Sequence, residues 1–262
     1  MQGLAGIKVP VHESDQVCPI HHVHMVYGDK FPQPFCEKCQ HEKTLEEKKQ
    51  FDRINTVKIA RGDLRRVSLV DNASEYNHTF DNFKAVQGSK EWQMKEAARK
   101  LAGKYFKDRT AQFNSIMYGT PGEGKTHLAM AMLNAVNQFS EPPQKCLFIN
   151  VTSLFLAIRD SFDNPLERWT EKYAVKTLSN ADLLVIDDLG SESAMSAKKG
   201  EASQFVQRIL YQVTNRQHRI IVTTNLTLSE LRQTYNPKLI SRLLAGSKGK
   251  QLDFSGIQDK RY

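Results

Sequence analysis

No stretch of these 262 residues approaches the roughly 20 consecutive apolar side chains that a membrane-spanning helix needs, so no membrane partner is expected. The first ten residues have neither a basic start leading into an apolar run nor a small-residue cleavage site, which argues against a secretory leader. A reducing cytoplasm is the expected compartment, and a disulfide among the four cysteines is disfavoured there. Internal repeats and low-complexity tracts are absent as well. Hydrophobic residues at 40% and charged residues at 25% match ordinary globular usage, which excludes wholesale disorder and a fibrous class. The length suits one sizeable core with a smaller second unit.

The formal charge of +8 is concentrated: from Ala197 to Tyr262 there are 12 Lys or Arg against 4 Asp or Glu. A local cationic excess suits a phosphate backbone, because neutralised phosphates release condensed counterions. A solvated basic face is the plainer alternative.

Three regions separate by composition. Met1 to Gln40 holds three of the four Cys and four of the eight His but too few aliphatic residues for a core. From His41 to about Ser68 the chain is charged, free of Pro, and free of Gly before Gly62, as a linker helix would be. From about Thr79 onward, helical and strand-like segments alternate as in a parallel sheet with crossover helices. The apolar spacing predicts helices at Glu91–Phe106, Thr126–Phe139, Ser153–Phe162, Trp169–Leu178, Gln204–Asn215 and Ser229–Tyr235. Strands are expected at Ser115–Tyr118, Cys146–Val151, Asp182–Ile186 and Arg219–Thr224.

The strand ending at Tyr118 feeds into Gly119, Thr120, Pro121, Gly122, Glu123, Gly124, Lys125 and Thr126, a phosphate-loop pattern. Glycines there let backbone N–H groups converge on phosphate oxygens, and the following helix points its positive dipole end the same way. Lys125 would reach the β- and γ-phosphates of ATP, and Thr126 would ligate Mg2+. Asp187, sixty-two residues beyond Lys125, ends the apolar run Leu183 to Ile186 and is followed by Asp188. A buried strand delivers such acids to the edge where α/β sheets bind ligands. Asp187 would hold the magnesium shell, and Asp188 would orient or deprotonate the attacking water. Thr223, Thr224 and Asn225 close the next strand, which makes Asn225 a candidate for positioning that water. Arg242 on a short helix is a candidate arginine finger supplied to a neighbouring subunit, although a lone helical Arg is more often a surface residue.

Together these segments resemble the DnaC and DnaI helicase loaders, a branch of the AAA+ ATPases that also includes the IstB transposition proteins. The resemblance covers about Phe80 to Tyr262 and rests on the phosphate loop, Leu183 to Gly190, Thr79 to Lys84, Val222 to Asn225 and Ile240 to Leu243. It implies an α/β fold with a parallel central sheet flanked by helices and a minimal or absent lid. It also implies Asn225 as first sensor and Arg242 as arginine finger, acting in a ring or spiral oligomer. Arg261 matches the second sensor if the stretch from Phe254 is one residue longer than usual. Asp188 stands where many AAA+ proteins carry Glu, which shortens the presumed base by one methylene and suggests slow hydrolysis. In this family an extra helix after the second core strand touches single-stranded DNA. Val151 to Phe162 looks like that element, with Phe155 and Arg159 as candidate contacts. Phe155 also fits a core position beside Leu154 and Ile158.

Cys18 and His21, then Cys36 and Cys39, form two ligand pairs with fourteen residues between them, close to the spacing of zinc-binding loops. His22, His24 and His41 compete with His21. A structural Zn2+ contributes roughly 10–16 kcal/mol in small modules, enough to fold a segment that lacks a core. DnaI-type loaders carry an N-terminal zinc module that grips the replicative helicase, while contact with DNA is the alternative use of a zinc ribbon that the sequence leaves open. The expected organisation is therefore a zinc-binding, helicase-interacting domain with linker helix over 1–68 and an ATPase domain over 69–262. The expected function is a helicase loader that uses ATP, Mg2+ and single-stranded DNA and recruits a replicative hexameric helicase. An IstB-like transposition ATPase and a nucleotide-switched adaptor with little turnover are the alternatives.

Overall fold

The computed structural model describes residues 10–195 and 202–260. The chain divides into two compact units, Met1–Lys58 and Ile59–Tyr262. The helix α1 (Glu37–Val67) runs across that division in sequence. None of the helices among the described residues is long and apolar enough to cross a membrane.

In the first unit β1 (His12–Val17), β2 (His24–Gly28) and β3 (Phe31–Phe35) form an antiparallel meander that leads into α1. The composition of this segment pointed to metal-binding loops rather than strands, and the reason is visible in its burial. Val17, Ile20, Tyr27 and Phe31 are exposed, and the buried hydrophobic residues described in this unit are Cys18 and Cys36. The strands lack the clean in-out alternation that reads as a half-buried sheet.

In the second unit the elements follow in the order α2 (Lys90–Lys107), β4 (Ser115–Tyr118), α3 (Lys125–Phe139), β5 (Cys146–Asn150), α4 (Val151–Asp163), α5 (Glu171–Ser179) and β6 (Leu183–Asp187). Then come α6 (Gln204–Thr214), β7 (Ile220–Thr224), α7 (Leu228–Thr234), α8 (Pro237–Leu243) and β8 (Gln251–Asp253). The sheet order is β5-β6-β7-β4-β8, and every pairing in it is parallel. Each of β5, β6 and β7 is buried along its whole length, as parallel strands covered on both faces are. Their side chains alternate between two apolar layers. Leu147, Ile149, Leu184, Ile186, Ile220 and Val222 join one with α4, α5, α6 and α8. Cys146, Phe148, Leu183, Val185 and Ile221 join the other with α2 and α3.

Local caps explain where the helices begin. Asn150 accepts from the Ser153 N–H, so α4 starts at Val151, two residues ahead of the apolar pattern. Thr170 accepts from the Tyr173 N–H, so α5 starts at Glu171, and Trp169 remains outside it, buried against Tyr173. The short β8, with one buried residue flanked by two exposed ones, has no legible pattern and forms because β4 offers it a parallel edge.

The basic surplus of the C-terminal quarter is not all surface. Arg219 is buried, and its guanidinium donates to the carbonyls of Tyr105, Asp108, Ala111 and Asp182 and to Gln144 Oε1, at 2.6–3.1 Å. This cation fastens α2, the loop before β4 and the start of β6 to the start of β7.

Candidate nucleotide site and cysteine cluster

The phosphate loop spans the turn from β4 to α3. Gly119, Gly122 and Gly124 have φ of 146°, 85° and 92°, values that side-chain-bearing residues rarely adopt. A Cβ on Gly119 would lie 2.9 Å from Phe254 Cβ, and one on Gly124 would lie 2.6 Å from Phe83 Cε2. Gly124 is also the N-cap of α3 and offers no side-chain acceptor to the first helical amides, which leaves that end of the helix suited to an anion. Lys125 is buried, and its Nζ donates to the carbonyls of Gly119 at 2.9 Å and Thr120 at 2.6 Å. Thr120 donates to Glu123 Oε1 at 2.7 Å, so the loop is braced from inside.

A cavity of about 400 Å³ lies at this end of the sheet, and Pro121, Gly122, Gly124, Lys125, Thr126, Asp187, Asp188 and Asn225 all line it. Asp187 ends β6 beside Asn150, its parallel partner at the end of β5, which also lines the cavity. Thr223 Oγ1 donates to Asp187 Oδ1 at 2.6 Å and accepts from the Asp188 N–H at 2.9 Å. Burial pushes the pKa of Asp187 up to about 6, against the hydroxyl hydrogen bonds of Thr223 and Thr126. A buried carboxylate bonded to the phosphate-loop threonine is the hard oxygen pair that Mg2+ takes, so the residues present fit that ion. Asp188 holds a left-handed backbone, φ 56°, and its Oδ1 accepts from Asn225 Nδ2 at 2.8 Å.

Four further side chains reach this cavity unannounced by any local motif: Asp71, Glu75, His78 and Lys260. Asp71 is held by Asn150 Nδ2 at 3.0 Å and Ser153 Oγ at 2.7 Å. His78 stacks on His127 with ring centroids 4.1 Å apart, and burial with that neighbour lowers its pKa to about 4. Lys260 Nζ donates to the Lys84 carbonyl at 2.5 Å and sits 3.7 Å from the Phe83 ring centre. Arg261 lies outside the described residues.

The remaining expected residues stand elsewhere. Arg242 does not line the cavity of its own chain. Its Nε and Nη2 donate to Asn215 Oδ1 at 3.1 and 2.9 Å, and it lies over the Tyr211 ring at 4.3 Å. Phe155 corrects the expectation of a base-stacking contact: it is 3% exposed and packs edge-on against Phe205, so its ring has no free face. The core reading of that position holds instead. On the same helix Arg159 is exposed, and the aromatic that does reach solvent is Phe162, 63% exposed.

In the first unit the side chains of Cys18, His21, Cys36 and Cys39 converge, with one ligand atom from each and all four atoms within 4.8 Å of one another. His21 Nδ1 is 3.3 Å from Cys39 Sγ and 3.5 Å from Cys36 Sγ, and Cys18 Sγ is 3.6 Å from Cys39 Sγ. A tetrahedral zinc with bonds of about 2.0–2.3 Å has edges of about 3.5 Å, so the donor set fits that ion. His21 Nε2 is 3.1 Å from Glu42 Oε1, an arrangement that leaves Nδ1 for the cluster. Of its rivals, His24 turns its Nδ1 to the Ser14 carbonyl at 3.1 Å. The cysteines are free thiols rather than disulfides. The His21 N–H and burial act in opposite senses here, lowering the Cys18 pKa to about 6 while Cys39 is pushed up to about 12.

A five-stranded parallel sheet in this order, with the phosphate loop on the inner strand β4 and acids ending β6 on the far side of β7, defines the nucleotide-hydrolysing ATPase fold of the AAA+ class. The chain belongs to the family of the bacterial DnaA ATPase domain, whose model matches residues 74–249. It is similar to the replicative helicase loader DnaC of Escherichia coli K12, 27% identical over 172 residues, which cover 65% of this chain and 64% of that protein. The chain thus spans just under two thirds of the length of that relative. Among solved structures it shares the fold of the DnaC helicase loader (TM-score 0.55, 21% identity, 70% of this chain and 99% of that one). It shares it likewise with DnaI (TM-score 0.53, 16% identity, 71% and 95%). The DnaC/DnaI type expected from the motifs is the type these relatives carry.

Proposed function

We propose that this chain is a DNA-replication helicase loader that binds ATP with Mg2+, hydrolyses it slowly, holds single-stranded DNA and recruits a replicative hexameric helicase. The observation that carries the reading is the meeting of Lys125, Thr126, Asp187, Asp188 and Asn225 around one cavity in a chain whose relatives include DnaC loaders. In this reading the loop amides and Lys125 bind the triphosphate, and Thr126 with Asp187 hold Mg2+, which would neutralise charge on the phosphates. Asp188 and Asn225 orient the attacking water. Arg242, braced by Asn215 and Tyr211, is offered to the nucleotide of a neighbouring copy in a ring or spiral. Arg159 and the exposed surface of α4 meet the DNA strand, and the zinc-bound first unit with its helix meets the helicase. The cytoplasm is the compartment such work requires.

The test mixes the full chain with the host's replicative helicase, with and without ATP and single-stranded DNA, and weighs the complexes by native mass spectrometry. A complex that forms with the parent chain and changes composition on adding nucleotide supports the reading, with Lys125→Ala insensitive to nucleotide. No association under any of the conditions would sink it.

A further inference from the structure

Glu75 lines the nucleotide cavity together with Lys125, Asp187, Asp188 and Asn225, yet it comes from a distant part of the chain, the 3-10 turn Ala73–Asn77. Its Oε2 is buried and has no hydrogen-bond partner. A buried carboxylate oxygen left in that condition costs stability unless something fills the cavity beside it, which makes Glu75 a candidate to meet a ligand or the attacking water there. Burial and the carboxylates of Asp187 and Asp71 push its pKa up to about 7.

The turn that carries Glu75 is rigidly tied. Asn72 accepts from the Ser74 N–H at 2.9 Å through its side chain and from the Glu75 N–H at 3.0 Å through its carbonyl. Asn134, on the helix that begins at the phosphate loop, donates to the carbonyls of Tyr76 at 3.1 Å and His78 at 2.8 Å. The backbone of Glu75 is therefore pinned to the element that positions Lys125 and Thr126. Asp188, by contrast, is one methylene shorter than Glu, and one of its oxygens accepts from Asn225.

We propose that Glu75 is a catalytic residue of the hydrolysis described above, its carboxylate taking the proton of the attacking water while Asp188 and Asn225 orient that water. The inference rests on the cavity being an ATP site. The water oxygen forms a bond to the terminal phosphorus. The bond from that phosphorus to the bridging oxygen breaks, its electron pair leaving with the diphosphate. The proton passes to Glu75 and from there to solvent. A positioned general base is worth about 100-fold or more in rate.

The experiment uses the full chain and its Glu75→Gln, Glu75→Asp and Lys125→Ala variants, measuring Mg-ATP turnover beside titration of a fluorescent ATP analogue. Glu75→Gln should bind the analogue within about threefold of the parent yet hydrolyse ATP about 100-fold more slowly, retaining intact ATP in its bound pool. Glu75→Asp should recover part of the rate. Turnover by Glu75→Gln within threefold of the parent would overturn the proposal, as would loss of binding and turnover in step. Should the glutamine variant fail to fold, Glu75→Ala is judged by the same two measurements. A parent that binds nucleotide without hydrolysing it also overturns the role of Glu75 and leaves the ATP site standing. A parent that matches Lys125→Ala in failing to bind removes the ATP site itself.

Discussion

The side-chain amide of Asn225 donates to Asp188 Oδ1 at 2.8 Å, and Asp188 adopts a left-handed backbone at the very end of the β6 edge where that bond is made. Aspartate is one of the few residues that tolerates this conformation, because its short side chain can bond locally. The pair joins the ends of two adjacent strands into one polar unit facing the cavity. Asn225→Ala should lower the ATP turnover number about 10- to 100-fold, because the carboxylate loses the donor that aims it. Nucleotide affinity should change little, so steady-state kinetics beside a binding titration will separate the two effects. A fall in affinity with unchanged turnover would place Asn225 in binding alone.

The first unit has no hydrophobic cluster among its described residues, so its fold should depend on metal. One zinc ion per chain is expected by elemental analysis of the purified protein. Cys36→Ser or a strong chelator should release it and open residues 10–36 to limited proteolysis. Unchanged protease resistance in the metal-free protein would show that the antiparallel meander holds without an ion.

His78 is kept neutral by burial and by the stacked ring of His127, with its pKa lowered to about 4 from 6.5. A histidine with a depressed folded pKa contributes stability that is present above 6.5 and is lost as pH falls toward 4, because the unfolded chain takes up the proton first. His78 is only half-buried, so the expected loss is discounted to on the order of 1 kcal/mol. Melting temperatures from pH 7.5 to 4.5 should fall more steeply for the parent than for His78→Gln. Parallel curves would rule out this contribution.

Arg219 donates to five acceptors drawn from four separate segments, those of Tyr105 and Gln144 being buried and the other three partly so. Arg219→Met keeps most of the volume but leaves those acceptors unpaired, and a loss of about 3 kcal/mol or more is expected in chemical denaturation. Arg208→Met is the comparison, since Arg208 is exposed and paired with Glu171 at 2.8 Å, where less than about 1 kcal/mol is expected. Equal effects of the two changes would contradict the anchoring role given to Arg219.

The phosphate loop, the acid-tipped strand Leu183–Asp187 and the alternation of helix and strand were all legible in the sequence, because each is a demand on consecutive residues. Glycines at Gly119, Gly122 and Gly124 specify backbone angles within eight positions, and unbroken apolar runs specify strands covered on both faces. The three cysteines of the Cys/His cluster were legible for the same reason, through the spacing of two short pairs, while the histidine was left open among His21, His22, His24 and His41. Tertiary structure decided what spacing leaves open. It chose His21 over its neighbours by facing its Nδ1 to the thiols, buried Phe155 while exposing Phe162, and took Arg219 out of the basic surface. It also drew Asp71, Glu75 and His78 from one end of the unit and Lys260 from the other into one cavity. Such residues carry no pattern of their own, since burial and charged neighbours arise only when segments far apart in sequence pack together.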